Sequence, residues 1–235
     1  MLTRRSTSAA YPPDRLCNSH RSPLVNQFPP VRKIGIQTRS VTGTMPDGNR
    51  YESSLERDLM ELARNEPDFG AYHAQPVRIG YAGVSGEPES YTPDGLIFWK
   101  SHRRPLLVEV KYRHDCHGQW RLLHAKFRAA RAYARERGWE FAVFTEERIR
   151  GPRLENLRFL RPYMERPKDA AIEEALLAAI RAGHATPNAA LEAVHRDGRD
   201  RASALPCLWR LVASGAVAMD WNSKLGMATE LRIGD

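Results

Sequence analysis

The sequence predicts an α/β fold, a mixed sheet flanked by helices, followed by a smaller α+β module. Two short apolar runs, 95–99 and 106–112, sit either side of an Arg103-Arg104-Pro105 turn, as adjacent strands do. Residues 119–137, rich in Ala, Arg and Leu, then lead into the continuous apolar run 139–145. A strand, a helix and a strand in that order imply a crossover within a mixed sheet. Beyond Pro167 the chain carries three helical patterns and a terminal hairpin, which form the α+β part.

Each element has its own signal. A first helix is expected over 54–66, because Leu55, Leu59, Leu62 and Ala63 recur at helical period and Pro67, Asp68 and Gly70 end the run. A strand is expected over 72–79, and a Gly-rich polar loop over 80–90. In the segment 119–137, Trp120, Leu123, Phe127, Ala130 and Ala134 fall on one side of a helix, and Gly138 caps it. Pro162 and Pro167 bracket an expected linker. Helices then follow over 170–181, over 188–196 behind the Thr186-Pro187 start signal, and over 202–213, ending near Gly215. Apolar runs 217–221 and 228–233 flank a polar turn at Asn222-Ser223-Lys224, so the C-terminal part reads as a winged-helix module. The expected domains are a disordered basic arm over 1–34, a mixed-sheet domain over 35–165 and the winged helix over 166–235.

Composition narrows the function. With 235 residues and 42% hydrophobic content the chain can bury one substantial core or two smaller ones. No apolar run approaches the roughly 20 residues of a membrane-spanning helix, so no membrane partner is expected. Cys17, Cys116 and Cys207 are odd in number and widely spaced, as cytosolic thiols are. The formal charge is +8, arginine outnumbers lysine, and guanidinium groups suit bidentate contact with phosphate. The excess suggests a polyanionic partner, most simply nucleic acid. The first 30 residues are basic, serine- and proline-containing and nearly free of acid. They read as a flexible arm, or as residues from a start assigned upstream of the true one.

The chemistry-bearing pattern lies between Thr92 and Lys111. Successive side chains on a strand alternate faces, so Glu109 and Lys111 project together while Val108 and Val110 point the other way. Pro93-Asp94 stands at the preceding strand. Two carboxylates and an ammonium on one side of adjacent strands suit a divalent metal, its water and a phosphodiester. Asp94 and Glu109 are the candidate carboxylate ligands and the Val110 carbonyl a further oxygen. Lys111 would stabilise charge, or accept a proton if its pKa is depressed. The competing reading makes Pro93-Asp94-Gly95 a turn and Glu109/Lys111 an exposed ion pair. Glu56 follows Ser53 at capping-box spacing, so the residues alone favour a helix cap bonding the Ser53 backbone N–H. His114, Cys116 and His117 lack a second ligand pair for zinc and read as a polar loop. Lys126, Arg128, Arg131, Arg135 and Arg137 form a basic helix face, which is either solvated or tracks phosphates, and Arg196, Arg199 and Arg201 offer the same choice.

Taken together, Tyr-Glu-Ser-Ser-Leu-Glu-Arg-Asp at 51–58, Ala74-Gln75-Pro76, Tyr91-Thr92-Pro93-Asp94 and Val108-Glu109-Val110-Lys111 resemble the TnsA endonuclease subunit of heteromeric transposons, over about residues 35–165. That family has the restriction-endonuclease-like PD-(D/E)xK nuclease fold. The resemblance implies that Glu56 is the helix glutamate that helps hold metal and Asp94 the central ligand. It also makes Glu109 the carboxylate or amide two before the lysine, and Lys111 the catalytic lysine. It implies Mg²⁺, with Mn²⁺ as a substitute, and cleavage of the 5′ strand at transposon ends. The implied partners are a separate DDE-type transposase subunit and an AAA-type ATPase regulator docking on the C-terminal domain. The implied location is the bacterial cytoplasm at the nucleoid. Gly95 departs from the family's larger apolar residue and is expected to loosen Asp94. A free-standing restriction or repair nuclease of the same fold, and a non-enzymatic winged-helix regulator, are the competing functions.

Overall fold

The computed structural model describes residues 28–31, 41–196 and 200–234. A small ribbon, β1 (Gly43–Thr44) and β2 (Arg50–Tyr51), precedes helix α1 (Ser54–Arg64). Ser53 caps α1 by accepting the Glu56 N–H at 3.1 Å. Leu55, Leu59, Met60 and Ala63 form its buried stripe.

The central sheet has four strands in the order β3 (Phe69–Ala74), β6 (Gly95–Trp99), β7 (Leu106–Val110) and β8 (Glu140–Phe144). The first two neighbouring pairs are antiparallel, whereas β7 and β8 run parallel with Val108 opposite Ala142. The connection between β7 and β8 passes through α2 (Arg113–Gly118) and α3 (Trp120–Glu136), the crossover that a parallel pair requires. Both faces of the sheet are covered. Val108, Val110 and Ile97 pack with Leu55, Leu59, Met60 and Tyr72 on the α1 side. Leu107 and Leu96 pack with Ala130 and Ala134 on the α3 side.

Several expectations are corrected. The stretch expected as a polar loop over 80–90 is mostly a hairpin, β4 (Ile79–Ala82) paired antiparallel with β5 (Pro88–Tyr91). Its sequence looks like a loop because the hairpin lies largely open to solvent, with Gly86 at φ +87° in its turn. The strand expected to run from 72 to 79 is broken after Ala74, because Gln75 adopts φ +50°. The expected polar loop carrying His114, Cys116 and His117 is the short helix α2, which buries none of its residues. Trp120, placed on the buried side of α3 by periodicity, is 56% exposed at the first residue of the helix, where its ring lies against His124. The expected disordered arm over 1–34 falls outside the described residues except for 28–31. There Phe28 packs its ring against His73, Phe98 and Trp139, so this piece belongs to the fold.

The region between β8 and the C-terminal helices contains α4 (Glu146–Ile149) and α5 (Pro152–Met164). Pro162, expected to open a linker, lies inside α5, in its last turn where the helix ends two residues later. Helices α6 (Ala170–Arg181), α7 (Pro187–Arg196) and α8 (Arg201–Ala213) then surround one core with the ribbon of β9 (Val217–Ala218) and β10 (Arg232–Ile233). Asp169, Thr186 and Asp200 cap the three helices through their side-chain oxygens. Leu160 of α5 joins that core, and Asn156 bonds the carbonyls of Trp221 and Ser223. Asp58 of α1, 1% exposed, pairs with Arg150 at 2.8 Å and Arg158 at 2.5 Å. Helix α5 therefore clamps the sheet domain to the C-terminal helices.

Candidate active site

Strand β7 places the site. Leu107 packs under α3 while Val108 and Val110 pack under α1, so Glu109 falls on the α3 side of the sheet, at its open end. Neighbouring strands flank β7 on both sides, which explains why Glu109 is only 4% exposed. Asp94, one residue before β6, turns its carboxylate across to β7. Its Oδ2 accepts the Val110 N–H at 2.6 Å, between Glu109 and Lys111. The Lys111 Nζ lies 3.1 Å from Glu109 Oε1, and its own N–H donates to the Phe144 carbonyl at 3.1 Å. Glu109 Oε2 is buried with no hydrogen-bond partner among the described residues.

Gly95 does not loosen Asp94; it makes room for what holds it. A Cβ at Gly95 would overlap the Tyr72 phenol, and the Tyr72 hydroxyl reaches the Asp94 carbonyl at 3.4 Å. The Gln75 N–H donates to the same carbonyl at 3.0 Å. Asp94 is thus fixed at both its backbone and its side chain.

Glu56 does two things that the sequence reading set against each other. It caps, accepting from the Ser53 hydroxyl at 2.9 Å and from the Glu52 N–H at 3.0 Å, in place of the expected Ser53 N–H. It also lines the same cavity of about 530 Å³ as Asp94, Glu109, Lys111, Gln75 and Tyr91. Among the described residues no three His, Cys, Asp or Glu side chains close on a point where they could hold a metal by themselves. The carboxylates share a cleft, and no ready-made three-carboxylate cage exists within it.

The electrostatics follow from burial. Burial, with Asp94 nearby, pushes the Glu56 carboxyl up to about 7. Burial also raises Asp94, with Glu109 adding to it, and raises Glu109, with Lys111 partly offsetting. For Lys111 burial acts to lower the pKa, but Glu109 and Asp94 outweigh it, so the amine stays above its ordinary value. A charged lysine among carboxylates that resist ionisation is an arrangement that added positive charge would relieve.

The expected basic face divides. Lys126 is half-buried and lines the cleft, because it follows Leu123 by three residues on the inward stripe of α3. That spacing was visible in the sequence and sets Lys126 apart from the outer arginines. Arg128, Arg131 and Arg135 are exposed, as is Arg121, and none of them has an ion pair among the described residues. Arg137 lies over the Tyr133 ring. Arg196 pairs with Glu192, Arg201 bonds Asn188 at 2.6 Å, and Arg199 lies outside the described residues. His114 stacks on Tyr112 and pairs with Asp115. Gln75 and Tyr91 were quoted in motifs without a role, yet both line the cleft.

Comparison with known families gives a match that spans the central sheet. Residues 66–146 match the family model for the TnsA-like endonuclease N terminal. The matched segment holds Gln75, Tyr91, Asp94, Glu109, Lys111 and Lys126, while Glu56 and helices α5 to α8 fall outside it. Comparison with curated proteins found no match. The stretch from β3 to the start of α4 is thus similar to a TnsA-like N-terminal endonuclease domain, which supports a TnsA-type nuclease with a restriction-endonuclease-like mixed sheet.

Proposed function

We propose that the chain is the Mg²⁺-dependent DNA endonuclease subunit of a transposase, hydrolysing the 5′ strand at transposon ends during cut-and-paste transposition. The observation that carries this is the meeting of Asp94, Glu109 and Lys111 in one cleft, with Asp94 clamped to the β7 backbone.

The donor set fits a hard divalent cation. The unpartnered, buried Glu109 Oε2 is an oxygen without a donor, and Mg²⁺ favours carboxylate oxygens while keeping several waters. Asp94 and Glu109 would hold the ion with the Val110 carbonyl, and Glu56 would contribute from the N-terminal end of α1. Mn²⁺ would substitute. Bound there, the ion would supply Lewis-acid stabilisation of the phosphate and lower the pKa of a water. Lys111, kept charged by Glu109, would stabilise negative charge on the scissile phosphate, acting as a clamp and not as a base. Tyr72 and the Gln75 backbone would keep Asp94 oriented.

DNA would lie along the outer face of α3. The unpaired Arg128, Arg131 and Arg135 suit successive phosphates, and Lys126 would meet the strand entering the cleft. Helices α6 to α8 with the β9–β10 ribbon would act as a winged-helix module, with Arg196 and Arg199 as further DNA contacts. An AAA-type ATPase regulator would dock on this module, and a DDE-type transposase would cut the opposite strand. The working location would be the cytoplasm, at the nucleoid.

Strand-resolved cleavage tests this reading, using DNA that carries transposon ends, Mg²⁺ and the partner transposase. Cuts confined to 5′ strands at the ends are expected. Cutting by the chain alone, irrespective of ends, would instead mark a free-standing nuclease. DNA binding with no cutting under any condition would mark a regulator.

A further inference from the structure

Gln75 joins β3 to β4 at the floor of the cleft, and its backbone is fully engaged: the N–H donates to the Asp94 carbonyl and the carbonyl accepts the Val31 N–H at 3.2 Å. Its side chain is not engaged in the same way. Gln75 is 4% exposed, and its Oε1 is buried without a partner among the described residues. Buried side-chain polar atoms nearly always have a partner, so an orphan acceptor calls for a reason.

The backbone sharpens the question. Gln75 has φ +50°, the one positive φ outside glycine among the described residues. Pro76 disfavours the right-handed helical region for the residue before it, but leaves extended backbone open. Where left-handed backbone is needed, glycine adopts it at lower cost than any L residue. A glutamine here costs backbone strain and then leaves its amide oxygen unsatisfied. Such strain persists where a side chain is needed in place for function.

The orphan oxygen has company. Among the described residues Glu109 Oε2 and Tyr91 Oη are also buried and unpartnered, and all three residues line the same cleft. Two of these atoms, Gln75 Oε1 and Glu109 Oε2, are oxygen acceptors on residues that line a cavity also lined by Asp94 and Glu56. A neutral amide oxygen adds a donor to a hard cation without adding to the negative charge already crowded there.

We propose that the Gln75 amide oxygen is a donor to the divalent cation of this cleft, alongside Asp94 and Glu109, directly or through one water of the ion's shell. The inference rests on the nuclease reading and extends its ligand set from carboxylates to an amide on a third strand connection.

Mn²⁺ binding by titration calorimetry of the full chain, paired with thermal melts without metal, provides the test. Gln75→Gly removes the amide and relaxes the backbone, so it is expected to weaken Mn²⁺ binding about tenfold or more while melting no lower than wild type. Gln75→Glu restores an oxygen of the same reach and is expected to bind Mn²⁺ at least as tightly as wild type. Unchanged Mn²⁺ affinity in Gln75→Gly would overturn the inference and leave Gln75 a backbone residue, as would Gln75→Glu binding as weakly as Gln75→Gly. Asp94→Ala separates the two levels of failure. If wild type binds no Mn²⁺, or Asp94→Ala binds as well as wild type, the metal site itself falls, and the nuclease reading with it.

Discussion

Raising the pH should destabilise the metal-free fold through Glu56, and the effect can be isolated by Glu56→Gln. Burial and the neighbouring Asp94 lift the Glu56 carboxyl from 4.5 to about 7 in the folded state. An acid whose folded pKa lies above its unfolded value keeps its proton in the fold after the unfolded chain has lost it. The associated stability is therefore full below pH 4.5, declines as pH rises through that window, and is gone above about 7. The shift corresponds to ~3 kcal/mol at order of magnitude. Asp58 acts in the opposite sense, since its arginine partners hold its pKa below the usual value despite burial, but its window lies below 3.8 and does not overlap. Urea denaturation of wild type and Glu56→Gln at pH 5, 6, 7 and 8, in chelator, measures the difference. Wild type should lose about 2–3 kcal/mol relative to Glu56→Gln between pH 5 and 8, and divalent cation should restore part of it. Parallel pH profiles for the two proteins would refute the placement of a buried, crowded carboxyl at the head of α1.

Other perturbations follow from particular contacts. Gly95→Ala sets a Cβ into the Tyr72 phenol, and should cost about 1–3 kcal/mol in denaturant melts while lowering cleavage through the displaced Asp94. Asp58→Ala leaves Arg150 and Arg158 without their shared buried carboxylate; it should cost about 2–4 kcal/mol, less than for a fully buried pair because both guanidiniums can turn to water. Replacing Arg128, Arg131 and Arg135 together by Gln should flatten the dependence of log affinity for DNA on log salt by roughly 2–3, measured by fluorescence anisotropy, with melting unchanged.

Much of the fold was legible because its elements obey single periodicities. The α1 stripe, the alternation at Val108, Glu109, Val110 and Lys111, and the β7–α3–β8 crossover all follow from local pattern. The caps at Ser53 and Thr186 are equally local signals, whereas those at Asp169 and Asp200 were not singled out in the sequence. What escaped depends on the surroundings. The β4–β5 hairpin buries only Ile79, and Pro162 signals a break that the last turn of α5 tolerates. Trp120 continues the α3 stripe in sequence, yet it stands exposed in the helix's first turn. At the site, the strand alternation foretold that Glu109 and Lys111 would meet. The clamp of Asp94 on the Val110 N–H and the exchange of space between Gly95 and Tyr72 could not be read from spacing, because they join residues on different strands. Glu56 proved compatible with both capping and the cleft, since the helix begins at the cavity wall.

The most direct measurement is Mg²⁺-dependent cleavage of DNA bearing transposon ends, with the partner transposase present. Wild type would be compared with Asp94→Ala and Lys111→Ala after melts confirm that each is folded. Wild type should make 5′-strand cuts that both substitutions remove. Wild-type cutting that survives in either variant would contradict a site built on Asp94 and Lys111.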